Sequence, residues 1–361
     1  MIDRVSTVGR PRERVGPACE PPATPVVPVP EDPALPGLVR LRHDGLRRGV
    51  MADVLRHWLG PQAELLESRA AACRYVPGKR CSVQIDLTVV PAPDAPPERR
   101  RVVAKVYARD HGANVYEMLR AFRSHGLAEG GFLVPEPLAY DASWKLLFLS
   151  YAEGAVLRSL VLEGSDPSRR MEDAAHWLSA FHRCRVTTGR RFTLDDHLES
   201  LVSERQRLAG VYPESAARLE RMLHRFDERG AGLSGWTPGP THRDYSPDHL
   251  VVDGERLTAI DFDECRQYDP MYDVAHFLAH LRLLGLRHGG DVTRFDPLGE
   301  MFLAAYRAVS PEFSEGRVRF YRAVALFKLA HIVAVVVRPP GWKEATAGFL
   351  READQILAQH S

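Results

Sequence analysis

One stretch limits more than any other what this chain can become: Thr241-His242-Arg243-Asp244-Tyr245-Ser246-Pro247-Asp248-His249-Leu250-Val251-Val252, then Asp253-Gly254, then Leu257-Thr258-Ala259-Ile260-Asp261-Phe262-Asp263. A polar loop leads into a short apolar run, a turn and a second apolar run that ends on an acid. Asp-Gly between two such runs marks a hairpin. The ribbon brings Asp244 and Asp261, seventeen residues apart in the chain, to the same end. Two carboxylates placed together can divide labour: one orients a hydroxyl while the other holds a divalent cation, as phosphoryl transfer requires.

His242-Arg243-Asp244, with a polar side chain five residues past the aspartate and Asp261-Phe262 further on, resembles the catalytic and metal-binding loops of the protein-kinase-like superfamily. The continuation Asp269-Pro270-Met271-Tyr272-Asp273-Val274-Ala275 is similar to the helix start of its aminoglycoside phosphotransferase and choline kinase branch. The resemblance implies an α+β, two-lobed fold. Its N-lobe is an antiparallel sheet plus a helix, and its C-lobe is mainly helical with a small catalytic hairpin. It implies ATP with Mg2+, a catalytic loop of Asp244, Arg243 and His242, and metal held by Asp261 with His249 and Asp263. Asp273 is expected to accept N–H bonds from the catalytic loop.

The upstream half should then supply a lysine on a strand, and Val102-Val103-Ala104-Lys105-Val106-Tyr107 resembles that element. Lysine is scarce: of 48 basic side chains only five are lysines, at 79, 105, 145, 328 and 343, and Lys105 sits in such a strand-like apolar run. Glu117, the one carboxylate between 112 and 125, is expected to be its ion-pair partner. No G-x-G-x-x-G precedes these strands; the turn Tyr75-Val76-Pro77-Gly78-Lys79-Arg80 is the candidate phosphate-covering loop, with Gly78, Lys79 and Arg80 near phosphate oxygens. A plain hairpin turn with solvated cations fits the same residues. Leu146 to Tyr151 resembles the hinge whose backbone binds adenine.

Residues 1 to 36 hold nine of the 27 prolines and read as an unpacked, disordered arm. Residues 37–152 read as the N-lobe and 153–361 as the C-lobe. Helical spacing covers Leu46 to Leu59, three strands cover 70–75, 81–90 and 101–107, a helix covers 112–125, a strand 148–151 and a helix 172–182. Leu329 to Val337 is apolar but half of what a bilayer needs, and reads as a buried helix. Lys plus Arg is 48 against 47 for Asp plus Glu, so no global field recruits nucleic acid or an anionic membrane. Five widely spaced cysteines without a C-x-x-C pair argue against a disulfide framework and against a thiolate zinc site. With no apolar segment after the N-terminal arginines, the expected compartment is the cytoplasm.

His249 stands where the family pattern has Asn or Gln. Imidazole is a softer donor than an amide oxygen and brings Mn2+ into consideration beside Mg2+. Direct contact with metal, contact through a metal-bound water, and a site in which Asp261 works with Asp263 or Asp248 all remain open. His276 and His280 stand four apart on one helical face, which could nominate a metal hydrolase, but the H-E-x-x-H glutamate is missing and packed side chains are the expectation. The function that follows is transfer of the γ-phosphate of ATP to a hydroxyl of a small molecule such as an antibiotic, sugar or other natural product. The alternatives are a kinase of Ser/Thr in a short peptide precursor and a silent nucleotide-binding scaffold. From 282 to 361 eleven basic residues face eight acidic ones, which weighs against a polycationic acceptor unless Asp195, Asp196 and Glu199 line its pocket.

Overall fold

The computed structural model describes residues 27–187 and 189–359. Helices α1 (Leu38–Arg42) and α2 (Asp44–Leu59) precede three long strands, β1 (Glu64–Val76), β2 (Arg80–Val90) and β3 (Glu98–Tyr107). After α3 (Gly112–Phe122) come β4 (Phe132–Leu133), β5 (Pro137–Asp141) and β6 (Leu146–Ser150). The first sheet runs β1-β2-β3-β6-β5 and is antiparallel throughout. Lys105 lies mid-sheet, opposite Ser82 on β2 and Leu147 on β6. Val102, Ala104 and Val106 share one core cluster with Val50, Met51, Val54 and Leu55 of α2. The two-residue period of a strand therefore turns Lys105 and Tyr107 to the opposite face, toward Asp261 and Asp263.

The chain continues through β7 (Ala155–Val156), α4 (Leu157–Glu163), α5 (Pro167–Arg183), α6 (Leu194–Val211), α7 (Ala216–Ala231) and β8 (Gly239–Thr241). Next are the hairpin strands β9 (Leu250–Asp253) and β10 (Arg256–Ala259), then β11 (Arg266–Tyr268), α8 (Met271–Arg287), α9 (Asp296–Val309), α10 (Glu315–His331) and α11 (Trp342–Ala358). The hairpin lies in a small sheet β4-β10-β9-β7, and β11 pairs with β8. Along α5, Met171, Ala174, Trp177, Leu178 and Phe181 are buried at helical spacing. Each large side chain so placed contributes about 1.5–3 kcal/mol of burial. Trp177 also donates its indole N–H to Leu133 O at 3.0 Å. The two-lobed α+β architecture matches the expectation, with one refinement: Val115, Met118, Leu119 and Phe122 of α3 belong to the helical C-lobe's core cluster.

Most of the arm expected to be unpacked, residues 1–26, lies outside the described residues. For its remainder the structure differs. Leu35 is fully buried, Val27 O accepts from Ala72 N at 2.9 Å, and Asp32 accepts from Gly78 N at 2.7 Å. Proline-rich composition hides one large apolar side chain that anchors the segment. At the other end, the segment Glu315–Val337 spans 23 residues and its most apolar 18-residue window has a mean hydropathy of 1.8, long and apolar enough to cross a membrane, but 67% of that window is buried inside the protein; of the stretch expected as a buried helix, Val336 and Val337 at its end are exposed.

Buried histidines give the fold an acid limit. Burial pushes His197, which sits among Phe192, Tyr268 and Tyr272, well below its ordinary 6.5. The unfolded chain therefore takes up a proton that the folded one refuses, so stability present above 6.5 is lost as pH falls below it. We expect the Tm to drop between about pH 7.5 and 5 and the drop to be smaller in His197→Phe; equal pH slopes in the two proteins would contradict this.

Candidate active site

Pairing of Asp253 with Arg256 and of Leu250 with Ala259 closes the hairpin, and Ile260 N donates to His249 O at 2.9 Å. Its open end carries the loop 242–249 beside Asp261. Two non-glycine residues there, Arg243 (φ 66°) and Asp261 (φ 65°), adopt the left-handed conformation, which costs on the order of 1–3 kcal/mol each and persists only where surrounding bonds fix it. The fixing group for the first is Asp273. Fully buried at the start of α8, its carboxylate accepts from Arg243 N at 2.7 Å, His242 N at 2.7 Å and His182 Nε2 at 3.1 Å. His242, also buried, donates from Nε2 to Ile260 O at 3.0 Å, and its Nδ1 accepts from Asp244 N at 3.3 Å. That ring ties the two loops together.

Lys105 reaches this end of the hairpin from β3. Its Nζ donates to Asp261 Oδ1 at 2.7 Å and to Asp263 Oδ1 at 2.9 Å. Tyr107 OH donates to the same Asp263 oxygen at 2.9 Å, and Arg80 Nη1 to the other at 2.7 Å. Arg74 Nη1 approaches Asp261 at 3.3 Å. Burial opposes the charge on Lys105, but Asp263 and Asp261 outweigh it and raise its pKa. Burial likewise pushes the Asp261 carboxyl up, yet Lys105, then His249 and Arg80, hold it below the usual carboxylate range. Asp244 follows the same pattern: burial raises it, while the contact with His276 and the neighbouring His249 bring it down. Both carboxylates are therefore ionised at neutral pH.

His249 Nδ1 donates to Asp244 O at 2.7 Å, which fixes the tautomer and leaves Nε2, 3.9 Å from Asp261 Oδ2, free to act as a ligand. Asp244, His249 and Asp261 each offer a donor atom within 4.8 Å of the others. One nitrogen and two carboxylates fit a divalent ion.

Several expected residues take other places. Glu117 does not meet Lys105: its side chain is 68% exposed and lies 3.5 Å from Arg120 one turn on, because its side of α3 faces solvent while Asp263 fills the partner position. Asp263 itself, 3% exposed, spends both oxygens on Lys105, Tyr107 and Arg80, and so anchors the lysine and stands apart from the trio of Asp244, His249 and Asp261. Gly78 turns its N–H to Asp32, Lys79 is exposed, and only Arg80 of that turn reaches the acidic cluster. Asp248 pairs with Arg158 of α4 at 2.5 Å. Arg243 stacks its guanidinium over Phe192, 3.5 Å from the ring centroid, and so positions the loop without facing the space between Asp244 and Asp261. His242 is walled off in the same way, as the buried tie described above. Of the three acids considered for a polycation pocket, Asp196 is occupied as the capping-box partner of Thr193 at the start of α6. Sequence reading missed Arg74 and Tyr107. The second could have been found, since it lies two residues past Lys105 on the same strand face.

The sequence profile described as the phosphotransferase enzyme family matches residues 95–321. Among curated proteins no significant sequence match is found. Among solved structures, the chain is similar to choline kinase LicA from Streptococcus pneumoniae (TM-score 0.55, 15% identity, covering 87% of this chain and 99% of that one). It is also similar to a thermostable mutant of aminoglycoside phosphotransferase APH(4)-Ia in ternary complex with AMP-PNP and hygromycin B (TM-score 0.54, 16% identity, 85% and 97% covered). A third is ADP-bound aminoglycoside phosphotransferase APH(2'')-Ib (TM-score 0.52, 14% identity, 85% and 99% covered). Identities this low show a shared fold.

Proposed function

The chain belongs to the phosphotransferase enzyme family, which its residues 95–321 match, and from that premise we propose that it moves the γ-phosphoryl group of ATP to a hydroxyl of a small molecule. The observation that carries this reading is the convergence of Asp244, Asp261 and Lys105 at one end of the hairpin, with Lys105 2.7 Å from Asp261. Asp244, ionised and partly open to solvent, takes the proton of the acceptor hydroxyl as its oxygen bonds to the γ-phosphorus and the bond to the ADP oxygen breaks. Lys105, anchored by Asp263, brings a compact cation to the nucleotide phosphates. Asp261 with His249 holds Mg2+ or Mn2+, which when bound offsets negative charge on the transferring group. The nucleotide complexes of the two aminoglycoside phosphotransferases support ATP as donor. The described free cysteines, Cys73, Cys81, Cys184 and Cys265, suit the reducing cytoplasm.

An ADP-release screen of divalent metals against alcohol-bearing compounds (aminoglycosides, choline, sugars, natural-product scaffolds and Ser/Thr peptides) tests this reading. Metal-dependent ADP formation with a small-molecule alcohol is expected, and Lys105→Met should raise the KM for ATP at least about tenfold by removing the phosphate cation. If the protein binds ATP yet forms no ADP with any metal and acceptor, while His249→Asn gains turnover, the natural chain is a nucleotide-binding scaffold.

A further inference from the structure

The function above assigns no ligand role to the two histidines of α8 that face Asp244. His276 and His280 stand one turn apart with ring centroids 4.1 Å from each other. His276 Nε2 lies 3.4 Å from Asp244 Oδ1, longer than a charge-assisted hydrogen bond, and this buried nitrogen makes no hydrogen bond. Its other nitrogen, Nδ1, meets the Tyr272 hydroxyl at 3.4 Å, an outer contact that orients the ring with Nε2 toward Asp244. Asp244, His276 and His280 each present one ligand atom within 4.8 Å of the other two. The carboxylate of Asp244 stands between two donor sets: Oδ1 faces His276, and Oδ2 lies 3.6 Å from His249 Nδ1.

We propose that Asp244, His276 and His280 form a second divalent-metal site, specific for Zn2+ over Mg2+, and that zinc bound there silences phosphoryl transfer by taking up the Asp244 carboxylate. Two imidazoles and one carboxylate are the three-ligand set that zinc accepts with a fourth position left for water, whereas Mg2+ prefers six oxygens. An i, i+4 histidine pair on a rigid buried helix is preorganised, so little chain entropy opposes binding. Site formation rests on the geometry alone. The silencing rests on Asp244 being the base.

The test titrates nucleotide-free protein with Zn2+ in competition with a chromophoric chelator, for the parent, His280→Leu, His276→Gln and His249→Asn, each checked for folding by circular dichroism. The parent should bind zinc, either α8 variant should weaken it at least about tenfold, and His249→Asn should bind as the parent does. Unchanged zinc affinity in both α8 variants overturns the site, as does a loss confined to His249→Asn, which would assign the ion to the Asp261 side. In Mg2+-supported ADP release, zinc should inhibit the parent and spare His280→Leu; zinc that binds through His280 without inhibiting refutes the silencing. A parent with no turnover at all would count against the phosphotransferase reading, and the binding titration would still decide the metal site.

Discussion

Asp244→Asn is expected to keep nucleotide affinity within about threefold of the parent while its turnover falls by about 10²–10⁴. The argument rests on charge and place. Asparagine keeps the shape of the side chain and the N–H contact of residue 244 with His242 Nδ1, so the loop geometry survives. It cannot take a proton. Although burial pushes the Asp244 carboxyl up, His276 and His249 hold it ionised through the neutral range, so the parent has its base ready without a preceding deprotonation. By the same sign, the acid limb of the rate profile should not come from Asp244 or Asp261, whose pKa values both lie below the ordinary 3.8. Nucleotide affinity should be spared because Lys105, the cation proposed to meet the phosphates, is held by Asp261 and Asp263 and not by Asp244. ADP formation measured with the acceptor, alongside nucleotide binding by fluorescence, checks the split. Turnover within tenfold of the parent would remove Asp244 from the role of base.

What could be read in the chain follows how far apart the cooperating residues lie. The hairpin was legible because its turn and its two apolar runs are adjacent, and β2 because apolar residues alternate along it; β1, whose burial does not alternate, was read only over 70–75 of its 64–76. Lys105 stood out because an ammonium in an apolar run is costly unless something meets it. Its partner was assigned to Glu117 on sequence proximity. The carboxylates that meet Lys105 lie 156 and 158 residues further along the chain, and nothing local in the sequence points to them. Arg74 escaped notice for the same reason, since its reach to Asp261 spans 187 residues. The α8 histidines were visible as an i, i+4 pair, but their meaning changed once the fold set Asp244 opposite them. Among the described residues of the proline-rich arm, composition misled where Leu35 outweighs the prolines around it.

The strongest structural dependence should belong to a residue with no chemistry of its own. Asp273→Ala is expected to destabilise the protein by about 3–5 kcal/mol, the range for removing one partner from a buried charged network. Three donors converge on its carboxylate, the N–H groups of His242 and Arg243 and His182 Nε2, and alanine would leave all of them buried without an acceptor. Arg243 would in addition lose the bond that holds its φ of 66°, so the strain stored there is free to relax toward an ordinary conformation. Relaxation at 243 moves the neighbouring Asp244, and turnover should therefore fall even in molecules that remain folded. Asp273→Asn keeps one carbonyl oxygen but sets an NH2 group against a backbone N–H, and should fall between the parent and the alanine variant in both respects. Urea unfolding measures the first effect and ADP release below the unfolding transition the second. An alanine variant within about 1 kcal/mol of the parent would mean that water replaces the lost acceptor and that the catalytic loop is held from elsewhere.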